Sequence, residues 1–139
     1  MTLRRTLSLF SILLAIVVGG CRPQPPTPPA VDAGFRLTTA LRDGRLVFIG
    51  VGGEIDGAVN PELAVSAGDI VRVTLVNGDG APHDFAIPAL GVQTALTTAK
   101  GRATDVVFQA DPAGAFAYIC TVSGHHQMGM EGWLRVREP

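Results

Sequence analysis

The clearest pattern along the chain lies between Ile70 and Val76, where Val71, Val73 and Leu75 alternate with Arg72 and Thr74. A period of two puts the apolar members on one face of a strand, so this segment predicts a sheet with one dry and one wet side. Shorter runs of similar character cover Phe35 to Leu41, Leu46 to Val51, Leu63 to Val65, Thr104 to Gln109, Ala115 to Cys120 and Gly132 to Val136. Turn-forming residues separate them: Asp43-Gly44, which predicts a hairpin, then Ala67-Gly68-Asp69 and Asp111-Pro112-Ala113-Gly114. Phe116, Tyr118 and Cys120 share one face of their strand, and Leu134 and Val136 share one side of the last strand. Trp133 is read as packing beneath the sheets, with no chemistry assigned. Gln93 to Ala99 fits either a strand or a surface loop. No long stretch after the N-terminus carries helical periodicity, so the expected class is all-β.

The first residues break this pattern. Arg4 and Arg5 precede an apolar run from Leu7 to Val18, which is short for a membrane span and has the layout of a secretory signal. The run ends in Val18-Gly19-Gly20-Cys21, which resembles the lipobox of bacterial lipoproteins. That resemblance implies cleavage after residue 20, a lipid anchor on Cys21 and an extracytoplasmic, membrane-held protein. Residues 21–33 then form a Pro-rich linker, stiff and extended, that holds the folded domain of residues 34–139 off the membrane.

Composition adds two constraints. A chain of 139 residues with 47% hydrophobic and 17% charged residues suits one globular domain. Once the signal with Arg4 and Arg5 is removed, nine Lys and Arg face twelve Asp and Glu, a net charge of −3. This argues against nucleic acid as a partner and hints at a basic patch on a protein partner.

With Cys21 used as an anchor, Cys120 is the single remaining thiol in a compartment that oxidises thiols, and a bound metal would protect it. Its surroundings supply ligands: Cys120 and His125 stand in a C-x4-H spacing, and Met130 follows. Thiolate, imidazole and thioether form a soft donor set. A second imidazole from a distant strand would complete a His2Cys site with a weak axial Met, the arrangement that holds copper for electron transfer. His83, delivered at a sheet end by the loop Asn77-Gly78-Asp79-Gly80-Ala81-Pro82, is the candidate supplier.

Tyr118-Ile119-Cys120-Thr121-Val122-Ser123-Gly124-His125, followed by Met130-Glu131-Gly132-Trp133-Leu134-Arg135-Val136, resembles the C-terminal signature of cupredoxins, the type 1 blue copper proteins. The segment from Val59 to Asn77 and the run Pro82-His83-Asp84-Phe85 are similar to small cupredoxin domains found alone or attached to copper nitrite reductases. The resemblance implies a Greek-key β-sandwich and one copper ion, with His83, Cys120 and His125 equatorial and Met130 axial. Met128 offers a second thioether, but only the longer spacing to Met130 fits the family loop. His126 is read as solvent-facing. Ser123 stands where many relatives have Pro, restoring a backbone N–H near the ligand loop. Asp84 is a candidate to accept a hydrogen bond from the Thr121 region and brace the two ligand segments; a plain surface carboxylate is the alternative.

The leading functional expectation is a one-electron carrier serving a redox protein, whether cytochrome, oxidase or reductase. Copper capture, delivery or storage is the alternative, and a structural zinc site a smaller one. A copper enzyme would need a second metal centre built from several more histidines. The chain has three His in all, with Ile119 beside Cys120.

Overall fold

A computed structural model describes residues 30–139; the signal segment, the proposed anchor Cys21 and most of the Pro-rich linker lie outside the described residues. Nine strands form two sheets: β1 (Ala33–Arg42), β2 (Arg45–Gly50), β3 (Leu63–Ser66), β4 (Ile70–Val76), β5 (Ala86–Ile87), β6 (Val92–Gln93), β7 (Ala103–Gln109), β8 (Gly114–Ile119) and β9 (Glu131–Arg137). One sheet has the order β2-β1-β4-β7 and the other β3-β9-β8-β5-β6. Helix is confined to two 3-10 turns, Gly53–Ile55 and Pro88–Leu90. The β-sandwich expected from the strand periods is the architecture observed.

Each sheet is built as the side-chain period demands. β4 buries Val71, Val73 and Leu75 completely, while Arg72 faces solvent. β1 and β2 form the hairpin foreseen at Asp43-Gly44, with Arg42 opposite Arg45 and both turn residues at positive φ. That conformation matches the right-handed twist of the paired strands. β1 also runs parallel to β4, and β3 parallel to β9, so long connections cross between the sheets. In β9, Leu134 and Val136 are buried. Trp133 does not pack beneath the sheets: it lies between Gly132 and Leu134 on the opposite face of the strand and is 48% exposed.

The core is filled by Leu37, Leu63, Leu75, Ile87 and Leu134 together with an aromatic cluster of Phe48, Phe85 and Tyr118. Their ring centroids lie 5.1 to 6.1 Å apart, and burial of such a ring stabilises the fold by about 1.5–3 kcal/mol. Tyr118 donates its hydroxyl proton to the carbonyl of Pro61 at 2.6 Å, which satisfies a polar atom inside the core. The cluster matters for position. Phe85 is two residues after His83 and Tyr118 two before Cys120, so the same alternation that sends these rings inward brings the histidine and the thiol in alongside them.

Candidate metal centre

His83 follows a loop whose shape is fixed by Asn77. The Asn77 side chain accepts from the Gly80 N–H at 2.7 Å and donates to the Ala81 carbonyl at 2.6 Å. His83 then forms an isolated bridge with Thr97, each backbone N–H donating to the other's carbonyl at 2.9 and 2.8 Å. The segment from Gln93 to Ala99 is therefore mostly loop: β6 ends at Gln93, and Thr97 touches the sheet only through this bridge. His83 is fully buried.

Cys120 lies directly after β8, and residues 121–130 fold back so that the Met130 carbonyl accepts from the Cys120 N–H at 3.2 Å. Tight turns at Gly124 and Gly129, both at positive φ, allow the reversal. The His125 carbonyl accepts from the N–H groups of Met128 and Met130, both at 3.1 Å. Asn60 pins the loop from outside, donating from its side chain to the Gly129 carbonyl at 2.8 Å while accepting from the Phe48 N–H.

The three donors converge. His83 Nδ1 and His125 Nδ1 are 3.2 Å apart; Cys120 Sγ lies 3.5 Å from His125 Nδ1 and 3.9 Å from His83 Nδ1. The circumradius of a triangle with sides of 3.2, 3.5 and 3.9 Å is about 2.1 Å, close to metal–nitrogen and metal–sulfur bond lengths of about 2.0–2.3 Å. A single ion at its centre would reach all three atoms. Met130 is fully buried beside Cys120 in the backbone pairing, whereas Met128 is 42% exposed. His126 turns away and meets Glu131 at 3.0 Å on the surface.

The protonation chemistry suits a cation. Burial pushes the Cys120 thiol up to about 11, even though the backbone N–H groups of Asp84 and Val122 point at the sulfur and favour its anion. A bare thiolate is therefore disfavoured here, and a bound cation is what would stabilise it. The His125 pKa is lowered by burial and by the neighbouring His83, which favours the neutral, ligating imidazole.

Asp84 is tied to the ligand loop. Its carboxylate accepts from the Thr121 N–H at 2.6 Å and from the Thr121 hydroxyl, and Gln93 donates to it at 2.8 Å while also reaching the Thr121 hydroxyl oxygen at 3.2 Å. Burial would raise the Asp84 pKa, but these hydrogen bonds outweigh it and hold the carboxyl below its ordinary value. Asp79 is the neighbour that sequence reasoning missed. Its two oxygens lie 2.8 and 3.1 Å from His83 Nε2. An acidic residue four positions before a candidate ligand, inside a Gly-rich turn, was the signal available.

No protein-family model matches the sequence, and no curated protein matches it. Solved structures do. The fold is similar to auracyanin B (22% identity, TM-score 0.57, covering 79% of this chain and 92% of that one). It is similar to rusticyanin from Thiobacillus ferrooxidans (22%, TM-score 0.55, covering 78% and 79%). A third match is the Cu-containing nitrite reductase from Thermus scotoductus SA-01 (27%, TM-score 0.57), where 76% of this chain corresponds to 28% of the enzyme. Auracyanin and rusticyanin are cupredoxins. The chain thus has the cupredoxin fold, a β-sandwich carrying a convergent His-Cys-His donor set at one end.

Proposed function

We propose that this protein is an extracytoplasmic, lipid-anchored one-electron carrier that holds a single type 1 copper ion through His83, Cys120 and His125, with Met130 as the axial ligand. The observation that carries this reading is the triangle of two imidazole nitrogens and one sulfur, sized for one ion and composed of the donors that copper electron-transfer sites use. When bound, copper supplies a Cu(II)/Cu(I) couple. The chain's part is to fix three donors on elements already tied together by β8, the His83–Thr97 bridge and the Asp84–Thr121 hydrogen bonds, so that little rearranges when one electron moves.

His125 is partly exposed in the loop that also bears the exposed Met128, which makes its ring edge the route for the electron. A copper enzyme would need a second centre, and only His126 remains among the three histidines. Capture or delivery would be served by an open set of His126, Met128 and Met130; instead His126 pairs with Glu131 and Met130 is buried. The lipobox-like Val18-Gly19-Gly20-Cys21 supports the anchor, and among the described residues no helix is long and apolar enough to cross a membrane.

Replacement of Cys120 by Ser tests the ligand set. The copper-loaded wild-type domain is expected to show an intense visible absorption, and C120S to lose it. Retention of the band in C120S would remove Cys120 from the site.

A further inference from the structure

The charges of the domain are sorted along its long direction. At the end opposite the candidate metal centre the chain places Asp32, Asp69, Asp111 and Glu138, with Arg137 as the counter-charge. This end is defined by hydrogen bonds from the Asp32 N–H to the Ile70 carbonyl, from Gly68 to Ala110 and from Ala67 to Arg137. The metal end carries the reverse sign. Arg42 and Arg45 face each other at the tip of the β1–β2 hairpin. The Arg45 guanidinium lies against Gly129, so that a Cβ built on that glycine would sit 2.7 Å from Nη2. Lys100 packs against Gly80 in the loop that leads to His83, and the Arg102 carbonyl accepts from the Asn77 N–H at 2.8 Å. All four cationic residues are exposed, and none forms an ion pair with another described residue.

The carboxylates at this end are differently employed. Asp79 is turned inward onto His83, Glu131 is engaged by His126, and Asp84 is buried against Thr121. Asp43, in the hairpin tip, is the remaining one. Exposed apolar side chains stand among the cations: Leu41 beside Arg42, Leu96 next to the residue that bridges His83, and Met128 in the ligand loop. An apolar centre with a charged rim is the layout of a transient protein interface.

We propose that the metal end is a cation-rimmed docking surface for a redox protein whose own electron-transfer edge is ringed by carboxylates. The inference rests on the electron-carrier reading and deepens it. The net charge of −3 outside the signal would attract a basic partner, but an encounter that leads to electron transfer is governed by the field where the partner lands, within about 8–10 Å at ordinary salt. That field is set by Arg42, Arg45, Lys100 and Arg102. A protein partner is favoured over an anionic lipid surface because the exposed edge of His125 lies on this same end, where contact with lipid would close the electron's exit.

The test compares two one-electron reagents of opposite charge, hexacyanoferrate and tris(phenanthroline)cobalt, each run in its downhill direction against the copper-loaded domain. One electron passes between copper and the iron or cobalt centre, and no bond forms or breaks. Between roughly 10 and 200 mM salt the hexacyanoferrate rate should fall by about threefold or more, and the cobalt rate should rise. R42E/K100E should flatten or invert the hexacyanoferrate dependence without altering the visible spectrum. R137E, at the far end, should leave the dependence unchanged. The opposite salt signs in the wild type, or equal effects of R137E and of either metal-end charge reversal made alone, would show that net charge governs and overturn the proposal. Sedimentation of the domain with phosphatidylglycerol vesicles, with loss of hexacyanoferrate reactivity on binding, would also overturn it by assigning the surface to lipid. Failure to bind copper at all would instead sink the carrier reading itself, so the two failures are distinguishable.

Discussion

The carboxylate of Asp79 meets Nε2 of His83 through both of its oxygens, at 2.8 and 3.1 Å, on the side of the ring opposite the donor triangle. A carboxylate can only accept, so Nε2 carries the proton, and in the neutral ring Nδ1 keeps its lone pair facing Cys120 and His125. One loop residue therefore selects the tautomer and orientation of a ligand that the sheet has buried.

Removing that contact should weaken the site without dismantling it. D79A is expected to bind copper about 10- to 100-fold less tightly than the wild type in a chelator competition. D79N keeps the shape but loses the charge, and should raise the reduction potential, because a less basic imidazole favours Cu(II) less. Each tenfold change in relative affinity corresponds to about 59 mV. An unchanged potential in D79N would mean that Asp79 does not tune the ligand.

Acid should loosen the metal-free domain through Asp84 and Asp79. For both, burial raises the pKa, but hydrogen bonds outweigh it: Thr121 and Gln93 donate to Asp84, and the Ala81 N–H and His83 to Asp79. Both carboxyls are therefore held below their ordinary value. Their stabilising contribution is present above the unfolded pKa of about 3.9 and disappears as pH falls through the lower folded value. Denaturant midpoints of the apo domain should drop between pH 5 and the strongly acid range, and D84N should show a shallower drop than the wild type.

Gly132 faces the Tyr118 ring so closely that a Cβ there would overlap Tyr118 Oη and Cζ. G132A should displace the ring and strain the Tyr118–Pro61 hydrogen bond, costing on the order of 1–3 kcal/mol in denaturant unfolding. Y118F should cost about as much as loss of the hydrogen bond alone, about 0.5–3 kcal/mol, because the ring still fills its place.

Much of this architecture was legible in the sequence because the side-chain period is local. The β4 alternation and the Asp43-Gly44 turn each specify their own geometry, and the structure has them where they were expected. The donors were legible as residue types in a short loop, together with one distant histidine. What escaped notice depended on long-range approach. Asn60 reaches Gly129 across 69 positions, and Gln93 reaches Thr121 across 28, and no local pattern marks either. Trp133 was misplaced for a related reason: its size suggested burial, but the strand's alternation had already assigned it to the outer face. The segment after Gln93 carried no period because it is held by one bridge to His83 rather than by a ladder.

The central claim is tested most directly by the electron paramagnetic resonance and visible spectra of the domain from Gly34 onward, loaded with one equivalent of Cu(II). A trigonal His2Cys site with a weak axial thioether predicts an intense thiolate-to-copper charge-transfer band together with narrow copper hyperfine splitting. A colourless sample with the wide splitting of tetragonal copper would contradict it.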